Sequence, residues 1–368
     1  MVAVCLSLCL LASSLPVGAA PSVSSLSAVI YEPESGRVLY AKAGDTPRPM
    51  ASTTKLMTAL LAAQRLDPAT LVIVPAAALP VEGTQIGLAA GDRITVRDLL
   101  AALLLASGND AANVLALSMA QDLPAFAVLM NQQARSLGMT HSTFVTPSGL
   151  DAGEHSASAR DMAVLGAAVL AEPLLAELCA ATSTTITLND RRITLNNHNK
   201  LLKLMEDCIG LKTGFTKKSG RCLVSAVQRE GVTLIVATLN GGDYWNDHMA
   251  LYEYGFSLVK RVALTPEIPL GCGVCGGVGT TVTVTAALPD GVTLSTSESL
   301  QTQVELPRFV WAPVSAGDAL GTVTVTAGER VVCTVPITAA YSVDARPLPT
   351  AWQRWWRQYG QLWNRLLS

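Results

Sequence analysis

The sequence predicts a mixed α and β domain of about 240 residues, then a small all-β sandwich and a C-terminal amphipathic helix. Three observations carry that reading. Between residues 27 and 262, segments with apolar residues every three or four positions alternate with segments of period two, the signatures of helix and strand. Residues 265–345 contain no lysine and run as valine–threonine alternation, as in Thr281-Val282-Thr283-Val284-Thr285. The last seventeen residues hold four of the six tryptophans, Trp352, Trp355, Trp356 and Trp363.

Residues 27–42 hold two apolar-alternating runs around Glu32-Pro33-Glu34-Ser35-Gly36, a hairpin with a longer turn. Residues 52–66 place Leu56, Ala59, Leu60 and Ala63 at helical spacing, with Ser52 at the head, where a hydroxyl can cap. Residues 96–119 are rich in Leu and Ala and broken by Ser107-Gly108-Asn109-Asp110, which reads as helix, turn, helix. Residues 159–181 are helical again. From 209 to 240 three strand-like runs follow, the last two joined through Glu230-Gly231, and residues 246–262 return to helix. Composition shifts near Thr265-Pro266. Turns such as Pro289-Asp290-Gly291 and Ala316-Gly317-Asp318 then divide the Val/Thr runs at the spacing of a sandwich, which Pro347-Leu348-Pro349 closes. The expected boundaries are 1–20 for an export signal, 21–264 for a catalytic domain, 265–346 for the β-sandwich and 347–368 for the terminal helix.

Hydrophobic residues make up 50% of the chain and charged residues 15%, a balance that supports a sizeable core and excludes disorder. Net charge is −2, from 26 Lys+Arg against 28 Asp+Glu, so a nucleic-acid partner is not expected. No charge precedes Glu32. Residues 2–12 are almost wholly apolar, Pro16 follows, and then come Val17-Gly18-Ala19-Ala20, the pattern of a secretory signal cut after Ala19 or Ala20. The apolar run is too short to cross about 30 Å of hydrocarbon. Past it stand Cys179, Cys208, Cys222, Cys272, Cys275 and Cys333, at scattered spacing. Cys272-Gly273-Val274-Cys275 is a single CxxC with no second pair and no nearby His, short of the four ligands that zinc takes. It reads as a local disulfide or two free thiols, and neither metal nor cofactor is expected.

A serine alcohol is a poor nucleophile near neutral pH and needs an adjacent base. No GxSxG motif is present, and His141, His155, His198 and His248 carry no local signature. In Ser52-Thr53-Thr54-Lys55 a hydroxyl and an amine stand three residues apart, on one face of a predicted helix. The helix N-terminus and burial both lower the pKa of such a lysine, leaving a neutral amine able to take the serine proton. SxxK alone is weak, since Ser257-Leu258-Val259-Lys260 is a second copy. Ser107-Gly108-Asn109 is the only Ser-x-Asn, and Lys212-Thr213-Gly214 the only Lys-Thr-Gly, and both follow Ser52 and precede Ser257. The ordered triple is the acylation set of penicillin-binding proteins and class A β-lactamases. In it Ser107 can relay a proton to the leaving group and Asn109 can hold a substrate amide. Lys212 and Thr213 on an edge strand offer a cation and a hydroxyl to a carboxylate, and Gly214 lets backbone approach closely. The N–H groups of Ser52 and Phe215 are candidate oxyanion donors.

On these residues the chain resembles a low-molecular-weight penicillin-binding protein of the serine D-alanyl-D-alanine carboxypeptidase family. The matching stretches are Pro49–Thr58 around Ser52-Thr53-Thr54-Lys55, Leu103–Ala112 around Ser107-Gly108-Asn109, Phe144-Val145-Thr146-Pro147-Ser148-Gly149-Leu150, Asn197-His198-Asn199-Lys200-Leu201-Leu202 and Gly210-Leu211-Lys212-Thr213-Gly214-Phe215-Thr216. The resemblance implies a β-lactamase/transpeptidase-like catalytic domain with an antiparallel sheet. It also implies removal of the terminal D-alanine from peptidoglycan pentapeptide through an acyl-enzyme, acylation by β-lactam antibiotics, and no metal. Carried over by position, it makes Ser52 the nucleophile, Lys55 its base and Ser107 a catalytic partner, with Asn109, Lys212, Thr213, Gly214 and Phe215 binding substrate. Phe215 departs from the His of many members.

Residues 350–368 carry Trp352, Trp355, Trp356, Tyr359 and Trp363 at helical spacing with Arg354, Arg357 and Arg365 between, and no acid follows Asp344. A cationic helix with one aromatic face fits the headgroup region of an anionic membrane. The expected location is therefore extracytoplasmic and peripheral on the outer face of the cytoplasmic membrane. The alternatives are a β-lactamase, which would need a deacylating base such as Glu154, Glu172 or Glu177, and a non-catalytic cell-wall-binding protein.

Overall fold

The computed structural model describes residues 19–348 and 350–366, so the expected export signal lies almost wholly outside the described residues. The chain divides into two compact units, Met1–Arg261 and Val262–Ser368.

In the first unit, β1 (Ser27–Glu32) and β2 (Arg37–Lys42) form the expected hairpin. A 3-10 turn, Ala51–Thr54, runs directly into α1 (Lys55–Arg65). The short antiparallel pair β3 (Leu71–Ile73) and β4 (Arg93–Thr95) precedes α2 (Val96–Leu104), α3 (Asn109–Met119) and α4 (Leu123–Ser136). Next come α5 (Ala159–Leu170), α6 (Pro173–Ala180), the hairpin β5 (Ser183–Leu188) and β6 (Arg191–Asn196), and the single turn α7 (Leu201–Leu204). The chain then lays down β7 (Cys208–Thr216), β8 (Gly220–Arg229), β9 (Val232–Gly241) and α8 (Tyr244–Leu258).

Local chemistry sets several of these boundaries. Thr95 accepts from Asp98 N, Asp122 from Ala125 N and Ser158 from Asp161 N, which caps α2, α4 and α5. Glu230 and Gly231 take φ of 49° and 77°, the left-handed pair that a tight β8–β9 hairpin needs. Two expectations shift. The helix expected from Ser52 starts as α only at Lys55, and the Ser52 side chain caps nothing. The helix expected over 246–262 stops at Leu258, because Val259-Lys260-Arg261-Val262 alternates and becomes β10 (Val259–Ala263).

The five strands order β2-β1-β9-β8-β7, all antiparallel, so the N-terminal hairpin joins the last strand and β7 is left at an edge. Alternation splits the side chains between two layers. Val224, Ala226, Ile235 and Ala237 face the helical layer, where Leu56, Leu60 and Leu61 of α1 are fully buried. Leu223, Val227, Leu234 and Val236 face α8 through Leu251 and Tyr252. Each fully buried leucine stabilises by about 1.5–3 kcal/mol, and α1 is thereby fixed at the centre of the helical layer. That anchors the turn before it.

The second unit holds β11 (Gly271–Cys275), β12 (Thr281–Thr285), β13 (Gly291–Ser295), β14 (Leu300–Glu305), β15 (Phe309–Trp311), β16 (Ala319–Ala327) and β17 (Arg330–Ala339). Six of them form a sheet of order β14-β16-β17-β12-β11-β15. Outside that sheet, β13 shares through Val292 and Leu294 a buried cluster with Val282, Val323 and Val325. The helix α9 (Ala351–Leu366) follows. All six described cysteines are free thiols, including Cys272 and Cys275.

Candidate active site

The backbone around the triple is held in unusual conformations. Ala51, which precedes Ser52, Ser107 itself and Leu211, which precedes Lys212, have φ of 48°, 63° and 84°. Non-glycine residues rarely take this left-handed region, and three of them beside one set of side chains mark a site where surrounding structure enforces the geometry. Gly149 shows how tight the enclosure is: a Cβ there would stand 1.9 Å from the Ala51 carbonyl oxygen. Gly214 does the same for β7, since a Cβ would lie 2.9 Å from both Met50 O and Ser52 N. The glycine of Lys-Thr-Gly thus lets the edge strand run against the nucleophile turn itself.

The structure brings Ser52, Lys55, Ser107 and Asn109 together. The Lys55 Nζ lies 2.8 Å from Ser52 Oγ, 2.7 Å from Asn109 Oδ1 and 2.7 Å from the Ser148 carbonyl. Lys55 has no exposed surface. Its amine is held well below the ordinary lysine range, first by burial and then by the like charge of Lys212, against an opposing pull from Asp110. Asn109 donates from Nδ2 to Glu82 O at 2.6 Å, which fixes its Oδ1 toward the lysine. Its amide is therefore engaged at both ends within the protein, and it holds the Lys55 amine in place. Beside it, Asp110 accepts from the N–H groups of Ile86, Gly87 and Leu88, so the start of α3 also anchors the loop that carries Thr84.

His155 ties the loop supplying Ser148 to the nucleophile helix. Its Nδ1 accepts from Val145 N at 2.9 Å, so Nε2 carries the proton and donates to Thr54 Oγ1 at 2.8 Å. Burial pushes this imidazole down to about 4, which keeps it neutral in that single tautomer.

Lys212 and Thr213 do not share a surface. Neighbours on a strand point to opposite faces. Lys212, paired with Val224, faces the helical layer; it is buried, donates to Thr213 O at 3.1 Å and is pushed down by burial to about 8. Thr213 and Phe215 face the other way, into a cavity of about 430 Å³. Ser52, Ser107 and Gly214 line the same cavity. Among the described residues the Ser107 hydroxyl has no hydrogen-bond partner, so it is available to a ligand. Thr84, His198, Lys200, Arg221, Tyr244 and Trp245 complete the lining. Sequence reasoning assigned none of these six a role, and only His198 and Lys200 lay in a stretch it had singled out. The cavity has no carboxylate on its walls.

Comparison with known proteins agrees with this architecture. Residues 16–242 match the family described as D-alanyl-D-alanine carboxypeptidase, and residues 277–345 match the family described as penicillin-binding protein 5, C-terminal domain. A D-alanyl-D-alanine carboxypeptidase of Mycobacterium tuberculosis is 34% identical over 69% of this chain and 88% of its own. One of Bacillus subtilis is 27% identical over 85% of this chain and 84% of its own. The solved penicillin-binding protein 5 of Haemophilus influenzae superposes with a TM-score of 0.65 over 88% of this chain and 98% of its own, at 24% identity, and shares the fold. The mixed fold with its antiparallel sheet and following β domain is thus common to the group, and the chain belongs to the D-alanyl-D-alanine carboxypeptidase family.

Proposed function

We propose that this protein is a serine-type carboxypeptidase that removes the terminal D-alanine from peptidoglycan pentapeptide, and that β-lactams acylate the same serine. The carrying observation is the coordination of Lys55. Asn109 Oδ1 and the Ser148 carbonyl can only accept, and a neutral amine has two N–H groups for them. Its lone pair is then left for the Ser52 hydroxyl, 2.8 Å away. Ser52 Oγ attacks the carbonyl carbon of the penultimate residue while its proton passes to Lys55. The tetrahedral oxyanion meets the N–H groups of Ser52 and Phe215, at the edge where Gly214 lets strand and turn meet. The C–N bond breaks, the leaving amine takes the proton by way of the Ser107 hydroxyl, and D-alanine departs. Water then attacks the ester and gives a proton to Lys55; the ester C–O bond breaks as Lys55 passes that proton to Ser52 Oγ, which restores the serine and frees the shortened peptide. Thr213 offers its hydroxyl to the substrate carboxylate, while the charge of Lys212 adds to burial in holding the Lys55 amine below the ordinary lysine range.

None of the three glutamates that the β-lactamase alternative would call on is placed to deacylate. Glu172 accepts from Gln64 and Glu177 pairs with Arg97, and neither they nor Glu154 line the cavity. Incubation of the full chain with labelled penicillin and, separately, with a peptide ending in D-alanyl-D-alanine tests the reading. A long-lived adduct together with D-alanine release is expected. Rapid drug turnover, or neither adduct nor release, would overturn it.

The site of action is extracytoplasmic, where peptidoglycan lies, and the tail holds the enzyme to the membrane surface. Trp352, Trp355, Trp356, Tyr359 and Trp363 recur on one side of α9 and are each 44–65% exposed, while Arg354 and Arg357 fall on the other side. Deleting residues 350–368 is expected to move the protein from the membrane fraction to the soluble one; unchanged sedimentation with membranes would refute this anchor.

A further inference from the structure

The short strand β15, at one edge of the six-stranded sheet, exposes two large aromatic side chains. Alternation packs Val310 against the buried cluster and leaves Phe309 and Trp311 toward solvent, 55% and 74% exposed, with ring centroids 6.3 Å apart. Such rings favour the zone where lipid headgroups meet acyl chains over bulk water. β15 runs parallel to β11 with Trp311 opposite Cys275, so Trp311 lies at the end of β11 that turns through Gly276, Gly277 and Val278. The chain that leads to α9 leaves from the same place. Val278 N donates to Asp344 O at 2.9 Å, Gly277 and Ala345 form an antiparallel bridge, and Arg346 N donates to Gly276 O at 2.7 Å. An extended chain advances at most about 3.6 Å per residue, which holds Ala351, the first residue of α9, within about 18 Å of Arg346.

The chemistry of the tail recurs at this end of the β domain. Val278 and Leu348 are exposed there, and Arg308 and Arg346 are exposed cations that pair with no carboxylate among the described residues. Asp344 offsets part of their charge. We propose that Phe309 and Trp311 form a second membrane contact, an aromatic foot on the β domain that enters the headgroup region of an anionic bilayer beside the tail. The inference rests on the membrane-surface reading of the tail given above. Docking of α9 raises the effective concentration of the tethered rings at the surface, so the two contacts reinforce each other. A single helix fixes where the protein is held; a second contact on the β domain also fixes which way that domain faces.

Binding of the full chain to vesicles of equal parts phosphatidylglycerol and phosphatidylethanolamine tests the foot. Phe309→Ser combined with Trp311→Ser is expected to weaken binding about 10- to 100-fold, the loss when two rings no longer leave water. Phe309→Tyr combined with Trp311→Tyr should keep most of the affinity, because tyrosine also favours the interface. Both variants should keep the wild-type thermal transition and the wild-type rate of D-alanine release from a soluble peptide, since neither residue lies in a buried cluster or lines the cavity. Equal vesicle affinity of wild type and the serine variant, with deletion of residues 350–368 alone abolishing binding, would overturn the foot and leave the tail anchor standing. A wild-type chain that does not bind the vesicles would overturn the anchor and the foot together. Loss of retention on isolated glycan strands by the serine variant, with vesicle affinity unchanged, would assign the pair to a sugar polymer and refute the membrane contact.

Discussion

Ser52→Ala is expected to abolish covalent labelling by penicillin and to lower D-alanine release by about 10,000- to 1,000,000-fold, the range seen when a nucleophile that works as part of a unit is removed. Among the described residues the only side-chain partner of the Ser52 hydroxyl is the Lys55 amine, so the substitution deletes the attacking atom without stranding a buried partner. The fold should persist, visible as an unchanged thermal transition. Mass spectrometry of the adduct gives a sharp discrimination, because Ser257 stands in an identical Ser-x-x-Lys spacing. That serine donates to Tyr254 O from within α8 and lies outside the cavity. An adduct that survives in Ser52→Ala, on Ser257 or elsewhere, would refute the mechanism.

Lys55→Gln is expected to slow acylation by about 100- to 10,000-fold, the contribution of a placed general base. In the wild type the acylation rate should rise with pH through the lowered pKa of Lys55 and then level, whereas the residual rate of the variant should lack that limb. Stability moves in the same direction. The folded lysine holds fewer protons than the unfolded chain up to the unfolded value of about 10.4. Wild-type stability therefore climbs with pH over that interval, as the unfolded state gives up the proton it alone carries. Denaturant midpoints measured across the alkaline range should show a shallower climb in Lys55→Gln. An acylation rate within a few-fold of wild type would show that another group takes the serine proton.

Much of this site is legible in the sequence because its parts are short and unique. Ser52 and Lys55 are three residues apart, and only one Ser-x-Asn and one Lys-Thr-Gly follow them. The elements read well for a related reason: period and punctuation are local, as in the two helices on either side of Ser107 or the Glu230-Gly231 turn. What the sequence hides is long-range or depends on which way a side chain points. The Asn109–Lys55 bond spans 54 positions and gives Asn109 a partner that spacing cannot reveal. Lys212 and Thr213 look like a pair on paper, yet a strand sends them to opposite sides. Arg221, Tyr244 and Trp245 carry no motif; they reach the cavity only because β8 is registered against β7 and α8 follows β9. The pairing of β1 with β9 is likewise a closure over most of the domain, set by burial on both faces rather than by any adjacent signal.

The left-handed backbone at Ala51, Ser107 and Leu211 bears on how this enzyme would respond to laboratory selection. Glycine or asparagine suits such dihedrals better than alanine or leucine. Variants chosen only for heat tolerance should therefore accumulate those residues at 51 and 211. The same relaxation frees the neighbouring reactive groups to wander, so robustness and turnover should diverge at these two positions and travel together elsewhere.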